Sequence, residues 1–138
     1  MERTQTWRVE VAGEDGIVAA RQQARSAAKG LGFGLVDQSR ITTAVSELAR
    51  NVVRYATGSR GEAIISELQS EAKGTGLEIV VRDDGPGIAD VNQALRDGFT
   101  SGQGLGMGLP GTKRLMDDMT IDTAPGRGTT VTIRKWRR

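Results

Sequence analysis

A glycine-rich stretch in the second half of the chain most constrains the fold that this sequence can adopt. The chain has 19 glycines among 138 residues, and several of them lie between Gly85 and Gly111. Glycine accepts positive φ and lets a ligand approach the backbone closely. A loop of roughly twenty residues, from Asp83 to about Leu105 with at most a short helix near Val91–Arg96, is unusual in a small domain, and such loops are commonly functional lids. We therefore expect regular elements on both sides of this stretch and a binding site beside it.

Hydrophobic periodicity predicts the elements that flank this loop. The apolar stripe Ile41, Val45, Leu48, Val52 and Tyr55 has helical spacing, and Asp37 before it is a favourable N-cap. Alternating apolar residues predict strands, and polar turns predict how the strands are connected. The predicted elements are a strand at Thr6–Val11, helices at 15–31 and 37–56, an antiparallel hairpin of Glu62–Gln69 and Leu77–Arg82, a helix at Pro110–Met116, and strands at Met119–Thr123 and Thr129–Trp136 joined by a turn at Pro125–Gly128. This order predicts one α+β domain spanning residues 1–138, with helices packed on one face of a sheet.

Two absences exclude several kinds of chemistry. The chain has no cysteine and no histidine, so it can form no disulfide, thiolate nucleophile, Ser-His-Asp triad or phosphohistidine. Its net charge of +2 is too small for a nucleic-acid polycation. We expect a cytoplasmic protein, because the first residues lack a signal-peptide pattern and no apolar run approaches the ~20 residues that a membrane span needs. The basic residues near the C-terminus, Arg134, Lys135, Arg137 and Arg138, are typical of the charged edge of a terminal strand.

The first candidate site is the pair Glu47 and Asn51 on the second predicted helix. Residues four apart share a helix face, and this pair flanks the apolar stripe at the edge of the helix–sheet interface. A carboxylate there can accept a proton, and an amide oxygen can bind Mg²⁺, which prefers hard oxygen ligands. The alternative is a surface glutamate paired with Arg50, Arg54 or Thr43.

The second candidate site is Asp83-Asp84-Gly85-Pro86-Gly87, directly after an apolar strand. A carboxylate at a strand end, followed by glycines, can accept a hydrogen bond from an exocyclic amine such as that of adenine. The alternative is an acidic β-turn, because proline and glycine are common turn residues.

The third candidate site is the run of alternate glycines from Gly102 to Gly111, which leads into a helix with Pro110 in its first turn. Free amides at a helix N-terminus bind anions, and glycines let phosphates approach the main chain. The run has no Gly-Lys-Ser/Thr of a Walker A loop, and no strand directly precedes it as a dinucleotide fingerprint requires. The alternative is a flexible hinge.

In this order, and with Gly126-x-Gly128-Thr129-Thr130 before the last strand, the three motifs resemble the GHKL family. This family comprises the ATP-binding domains of gyrase, Hsp90, histidine kinases and MutL, which share the Bergerat fold. The resemblance covers nearly the whole chain. It implies a two-layer α/β sandwich with a mixed, mostly antiparallel sheet, helices on one face and an ATP lid.

The resemblance also implies roles for individual residues. Asn51 matches the position that coordinates Mg²⁺ on the phosphates, and Asp83 matches the one that binds the adenine amino group. Glu47 matches the catalytic base of those members that have one. The remaining positions that the resemblance assigns to the nucleotide are Gly85 and Gly87 at the adenine pocket, Gly104, Gly106, Met107 and Gly108 in the phosphate-binding segment, and Thr129 near the adenine.

Within the family, the chain is most similar to small bacterial serine kinases of the anti-sigma and stress-switch type. The stretches 46–51, 82–88 and 106–117 carry this similarity, and Leu109-Pro110-Gly111 favours the stressosome switch kinases over the sigma-binding branch. The resemblance implies transfer of the γ-phosphate of ATP, with Mg²⁺, to a serine of a STAS-domain antagonist or scaffold protein, and a PP2C-type phosphatase as a second partner.

Three other functions are compatible with parts of the pattern. A histidine kinase would need a phosphoacceptor histidine from another chain, and an ATP-driven machine such as gyrase would need further domains. A non-catalytic module that binds a sigma factor or STAS partner is the alternative from a different class. Glu47 distinguishes a kinase from this binding module, because a protein that only binds a partner needs no base beside Asn51.

Overall fold

The computed structural model describes residues 1–55, 61–85, 108–123 and 126–138. Within these residues the chain forms, in order, β1 (Glu2–Val11), α1 (Glu14–Gly30), α2 (Leu35–Tyr55), β2 (Gly61–Ser70), β3 (Gly74–Asp83), α3 (Gly108–Leu115), β4 (Asp118–Thr123) and β5 (Thr129–Trp136). The helix predicted near Val91–Arg96 and most of the predicted lid lie outside the described residues.

The five strands form one sheet in the order β1-β2-β3-β5-β4. Each of the four pairings is antiparallel. The predicted α+β class with a mostly antiparallel sheet is therefore confirmed, and among the described strands every pairing is antiparallel.

The hydrophobic core lies between the sheet and the helices. Cross-strand neighbours Ile65, Ile79 and Ile133 are fully buried at its centre, because side chains alternate between the two faces of a sheet. Helix α2 packs between α1 and α3 and also contacts β1, β2 and β3. This central position explains why every residue from 41 to 49 except Thr43 is buried.

A Schellman motif ends α1. The N–H of Phe33 donates to the carbonyl oxygen of Ala28 at 3.0 Å, and that of Gly32 donates to the carbonyl oxygen of Lys29 at 3.1 Å. Gly32 has φ +87°, the left-handed conformation that this motif requires and glycine adopts at low cost. Phe33 then turns into the core, and α2 begins at Leu35. The carbonyl oxygen of Gly34 already accepts a helical hydrogen bond from the N–H of Gln38 at 2.9 Å. The N-cap predicted at Asp37 is therefore wrong.

The face of the sheet away from the helices carries a buried carboxylate, Glu78, which is 2% exposed. Arg3 donates to its two oxygens at 2.9 and 3.0 Å, and Arg134 Nε donates to Oε2 at 2.8 Å. Burial raises the pKa of Glu78, but the hydrogen bonds and charges of the two arginines outweigh it and hold the pKa below its usual range. This contact explains why β1 starts at Glu2, four residues before the predicted start at Thr6.

The prediction that the basic C-terminal residues form the charged edge of the sheet is wrong. Strand β5 lies inside the sheet, between β3 and β4. Its basic residues face opposite sides, because Arg134 pairs with Glu78 while Lys135 points to the helix side and is 5% exposed. Lys135 Nζ donates to the carbonyl oxygen of Leu115 at 3.0 Å.

Candidate functional site

Glu47 and Asn51 lie one turn apart on the same face of α2. Glu47 is 8% exposed, and its Oε1 accepts a hydrogen bond from Arg50 Nη1 at 2.9 Å. The ion pair with Arg50 was one of the alternatives for this glutamate; it is partly buried, with the Arg50 side chain 35% exposed and that of Glu47 11% exposed. A carboxylate has about four acceptor positions, so Glu47 retains capacity for another hydroxyl or water.

A close contact between α2 and β2 sets the position of this pair relative to the sheet. A Cβ atom at Gly61 would collide with Val52 Cγ1, so glycine at this position lets the helix approach the strand. Gly61 is the register partner of Asp83 across β2 and β3. Since Val52 follows Asn51, this turn of α2 lies over the end of the sheet that carries Asp83.

Asp83 is the last residue of β3, between Gly61 of β2 and Thr129 of β5. Its side chain lies on the helix side of the sheet, by alternation with the buried Val81. Burial raises the pKa of this carboxyl above its usual range, with a further increase from the charge of Asp84, against hydrogen bonds from the N–H groups of Gly85 and Thr129. The Gly85 N–H lies 2.8 Å from Oδ1. A partly buried carboxylate gains most from a ligand that donates a hydrogen bond to it.

The turn before β5 closes the other side of this end of the sheet. Gly128 has φ +77°, and its backbone lies so close to the carbonyl of Asp83 that a Cβ atom would collide with it. The hydroxyl of Thr129 is 2.9 Å from that of Thr123, which also donates to the carbonyl oxygen of Gly128 at 2.9 Å. Thr129 is the register partner of Asp83 and lies directly opposite it.

Gly108 is the first residue of α3, with φ +67°. Helix α3 packs against α2, and its first turn is anchored by buried Leu109 and by Thr112, whose hydroxyl donates to the Gly108 carbonyl oxygen at 3.1 Å. The N-terminus of α3 thus belongs to the same helical layer as Glu47. The predicted site residues Gly87, Gly104, Gly106 and Met107 lie outside the described residues.

A pocket of about 580 Å³ opens at this end of the sheet, but on a different side from the predicted site. It includes Gly61 and Asp83, and its other lining residues are Arg8, Val9, Glu10, Glu62, Arg82 and Asp84. Most of these belong to the face away from the helices, and the pocket contains neither Glu47 nor Asn51. Glu47 and Asn51 thus lie at the helix–sheet interface, and Asp83 lies between this interface and the pocket.

Comparison with known proteins decides the family. The profile of the histidine kinase-like ATPase domain matches residues 11–135. The chain belongs to the histidine kinase-like ATPase family. Within it, the chain is 49% identical over 130 residues to the serine/threonine-protein kinase RsbT of Bacillus subtilis, covering 94% of this chain and 96% of RsbT. It is 34% identical over 98 residues to the anti-sigma F factor of Clostridium novyi, covering 69% of this chain and 68% of that protein.

Solved structures support the fold of this family. The RsbU and RsbW domains of a Mycobacterium tuberculosis protein match with a TM-score of 0.65 at 17% identity; the match covers 98% of this chain, which spans 33% of that one. The mycobacterial sensor histidine kinase MprB matches with a TM-score of 0.58 at 21% identity, over 97% of this chain and 99% of that chain. Within the described residues, no helix is both long enough and apolar enough to cross a bilayer.

One residue that shapes the candidate site, Gly61, was not predicted from the sequence. The available signal was its position directly before a strand, where a glycine can mark the close approach of another part of the backbone or of a ligand. The pairing of Arg50 with Glu47 was among the alternatives predicted from the sequence, since their i,i+3 spacing places them within reach, and the hydrogen bond between them confirms it.

Proposed function

We propose that this protein is an ATP- and Mg²⁺-dependent serine/threonine protein kinase of a bacterial partner-switching pathway. The observation that carries the proposal is the buried glutamate, Glu47, one turn before Asn51 on α2, in a chain that matches RsbT along nearly its whole length. A nucleotide-binding module without catalysis has no need of a carboxylate at this position.

Three described positions would surround the adenine of the nucleotide. Asp83 would accept a hydrogen bond from the adenine amino group, Thr129 would lie beside the adenine, and Gly85 would leave room for the ring. Gly108 at the start of α3, with Gly104, Gly106 and Met107 before it and Gly87 after Asp83, completes the proposed set.

The residues present fit a magnesium ion that is held mainly by the nucleotide. The described residues contain no cluster of three or more acidic side chains that could hold a metal alone. Mg²⁺ usually keeps several waters and binds through one or two protein oxygens plus substrate phosphates, so the amide oxygen of Asn51 is a sufficient protein ligand. The bound ion would neutralise charge on the phosphates.

The phosphoryl transfer would use Glu47 as the general base. The acceptor serine Oγ forms a bond to the γ-phosphorus, the bond from that phosphorus to the β–γ bridging oxygen breaks, and ADP leaves. The proton of the serine hydroxyl passes to the Glu47 carboxylate. Arg50 holds this carboxylate in one orientation, so its second oxygen can face the incoming hydroxyl.

The proposed acceptor is a STAS-domain antagonist or scaffold protein, with a PP2C-type phosphatase as a second partner, in the cytoplasm. The similarity to both RsbT and an anti-sigma F factor supports a protein that exchanges partners. The same similarity favours the second candidate function, in which nucleotide only sets the affinity for a partner.

A phosphotransfer assay tests the proposal. Purified protein is incubated with γ-labelled ATP, Mg²⁺ and the STAS-domain protein encoded nearest to it. We expect label on a serine of that protein, and transfer about 10²–10⁴-fold slower for Glu47→Gln with unchanged ATP affinity. Glu71→Gln, in the exposed β2–β3 turn, is the matched control and should behave as wild type.

Two outcomes contradict the proposal in different ways. ATP binding without transfer by the wild-type protein favours the nucleotide-dependent binding module. A wild-type protein that does not bind ATP excludes both candidates.

A further inference from the structure

An exposed apolar pair lies at the end of the molecule opposite the nucleotide site. Leu35 is 77% exposed and Val36 is 64% exposed, and the remaining large hydrophobic residue this exposed in the described part of the chain is Met1 at the N-terminus. Both side chains occupy the first turn of α2, where polar residues usually stand. Single exposed apolar residues are ordinary, but adjacent ones in a defined surface are typical of interaction sites.

This apolar pair is presented on a rigid support. Phe33, two residues before Leu35, is 3% exposed and anchors the connection between α1 and α2. The buried Gln38 donates from Nε2 to the carbonyl oxygen of Phe33 at 2.8 Å. Arg137 Nη1 donates to the carbonyl oxygen of Leu31 at 2.8 Å. Binding there would cost little ordering entropy, which is the property of a preorganised anchor.

Basic residues lie in the segments next to the pair: Arg40 follows one turn after Val36 on α2, and Arg137 contacts Leu31 at the end of α1. Lys135 and Arg40 both approach Asp37, at 3.9 and 3.0 Å, and Arg138 approaches Asp117 at 3.0 Å. The carboxylates that pair with the cations of this region are Asp37 and Asp117. Four exposed cations outnumber these two partly buried carboxylates: Lys29, Arg40, Arg137 and Arg138.

The charge and the apolar pair together favour one kind of occupant. A nucleic acid would use the cations and gain little from Leu35 and Val36, whereas a protein segment with apolar residues between carboxylates would use both. An amphipathic helix supplies such a pattern on one face, with apolar residues at i, i+3, i+4 and i+7.

We propose that this surface, formed by Leu35, Val36, Lys29, Arg40, Arg137 and Arg138 and called the basic tip, docks an acidic amphipathic helix of a partner protein. Asn51 follows Leu35 by sixteen positions on α2, which is about 24 Å at 1.5 Å per residue. A helix bound at the basic tip therefore leaves the nucleotide site open. The inference goes beyond the proposed kinase function and does not depend on it.

The test uses the full chain and a defined probe. ¹⁵N-labelled protein is titrated with a 20-residue peptide that has leucines at i, i+3, i+4 and i+7 and glutamates on the other positions. We expect saturable shifts confined to the amides of residues 29–40 and 135–138, with a Kd below about 1 mM. A scrambled peptide of the same composition and a peptide with lysine in place of glutamate should each bind at least tenfold more weakly.

Variants separate the two parts of the surface. Leu35→Ser with Val36→Ser should weaken the peptide at least tenfold, and Arg137→Ser with Arg138→Ser should do the same. Arg21→Ser with Arg25→Ser, two exposed cations on α1 outside the basic tip, is the matched control and should change nothing. ATP binding, measured on every variant, should stay at the wild-type value, which separates this inference from the kinase proposal.

Four results would overturn the inference. These are an absence of saturable shifts, equal binding of the scrambled peptide, shifts located outside the basic tip, and affinity that depends on the arginines but not on Leu35 and Val36. In the last case a 20-nucleotide single-stranded RNA that binds as tightly as the acidic peptide would identify the surface as a polyanion site.

Discussion

The turn before β5 offers a sharp test of how the fold positions Asp83. Gly126 and Gly128 both have positive φ, +78° and +77°. Alanine in this conformation costs about 1–2 kcal/mol at either position. They differ in surroundings, because a Cβ atom at Gly126 meets nothing within 4 Å whereas one at Gly128 collides with the carbonyl of Asp83.

The collision adds a second cost to Gly128→Ala. Backbone atoms have no rotamer to move to, so the end of β3 must shift, at a cost of about 1–3 kcal/mol for such overpacking. We expect Gly128→Ala to lose about 2–5 kcal/mol of unfolding free energy and Gly126→Ala about 1–2 kcal/mol. At about 3–4 °C per kcal/mol for a chain of this size, the two Tm values fall by about 6–20 °C and 3–8 °C.

The shift should also reach the nucleotide. If Asp83 moves away from the position that we propose for the adenine, one charge-assisted hydrogen bond of about 1.5–3 kcal/mol is lost, and the Kd for ATP rises about 10–150-fold. Calorimetric titration at low temperature, with folding verified by circular dichroism, measures this effect. Gly126→Ala should bind ATP within twofold of wild type. Equal ATP affinity of the two variants would refute the idea that this turn holds Asp83 in place.

Three further perturbations probe other parts of the structure. Asp83→Asn should raise the Kd for ATP about 10–150-fold at neutral pH. Because burial raises the Asp83 pKa, the difference in ATP affinity between wild type and variant should shrink as pH falls through that pKa, which lies above that of an ordinary aspartate. ATP titrations of both proteins across pH measure this difference. Glu78→Gln should lower the unfolding free energy by about 1–2 kcal/mol at pH 7, a modest value because the side chain of Arg3 is half exposed. Since the folded-state pKa of Glu78 is depressed, this loss of stability is present above the unfolded-state pKa and disappears as pH falls through the folded-state pKa. Equal urea midpoints of wild type and variant at pH 7 would contradict this stabilising role of Glu78. Gly61→Ala should push Val52 and α2 away from the sheet, which lowers the free energy of urea unfolding by about 1–3 kcal/mol and weakens ATP binding. Gly34→Ala is the control, because a Cβ atom there meets nothing within 4 Å, and it should retain the wild-type affinity for ATP.

Much of the fold could be predicted where local pattern and tertiary structure agree. The predicted strand at Thr129–Trp136 matches β5, and α1 and α2 begin and end within two residues of their predicted limits. Glycines mark several of these ends, and regular apolar spacing marks the interiors.

The differences arise where distant residues decide the structure. Residues 2–5 have no apolar alternation, and they extend β1 because Arg3 reaches Glu78, 75 positions away in the chain. The place of β5 inside the sheet depends on its pairing with β3, which no local pattern encodes. The burial of Lys135 follows from that placement.

For the candidate site, the residues could be predicted from the sequence, but their arrangement could not. Glu47, Asn51, Asp83 and Thr129 could be selected from the sequence because their chemistry and their place at element ends are visible there. Their arrangement depends on two close backbone approaches, Gly61 to Val52 and Gly128 to Asp83. Glycine shows that close approach is allowed at a position, but not which element approaches.

A crystal structure of the protein with Mg²⁺ and a non-hydrolysable ATP analogue would test the nucleotide site most directly. We expect the adenine amino group within hydrogen-bond distance of Asp83, the metal on the amide oxygen of Asn51, and the γ-phosphate on the Glu47 side of the helix–sheet interface. An analogue bound instead in the pocket lined by Arg8, Glu62 and Arg82, with α2 free of nucleotide, would contradict the site and the mechanism built on it.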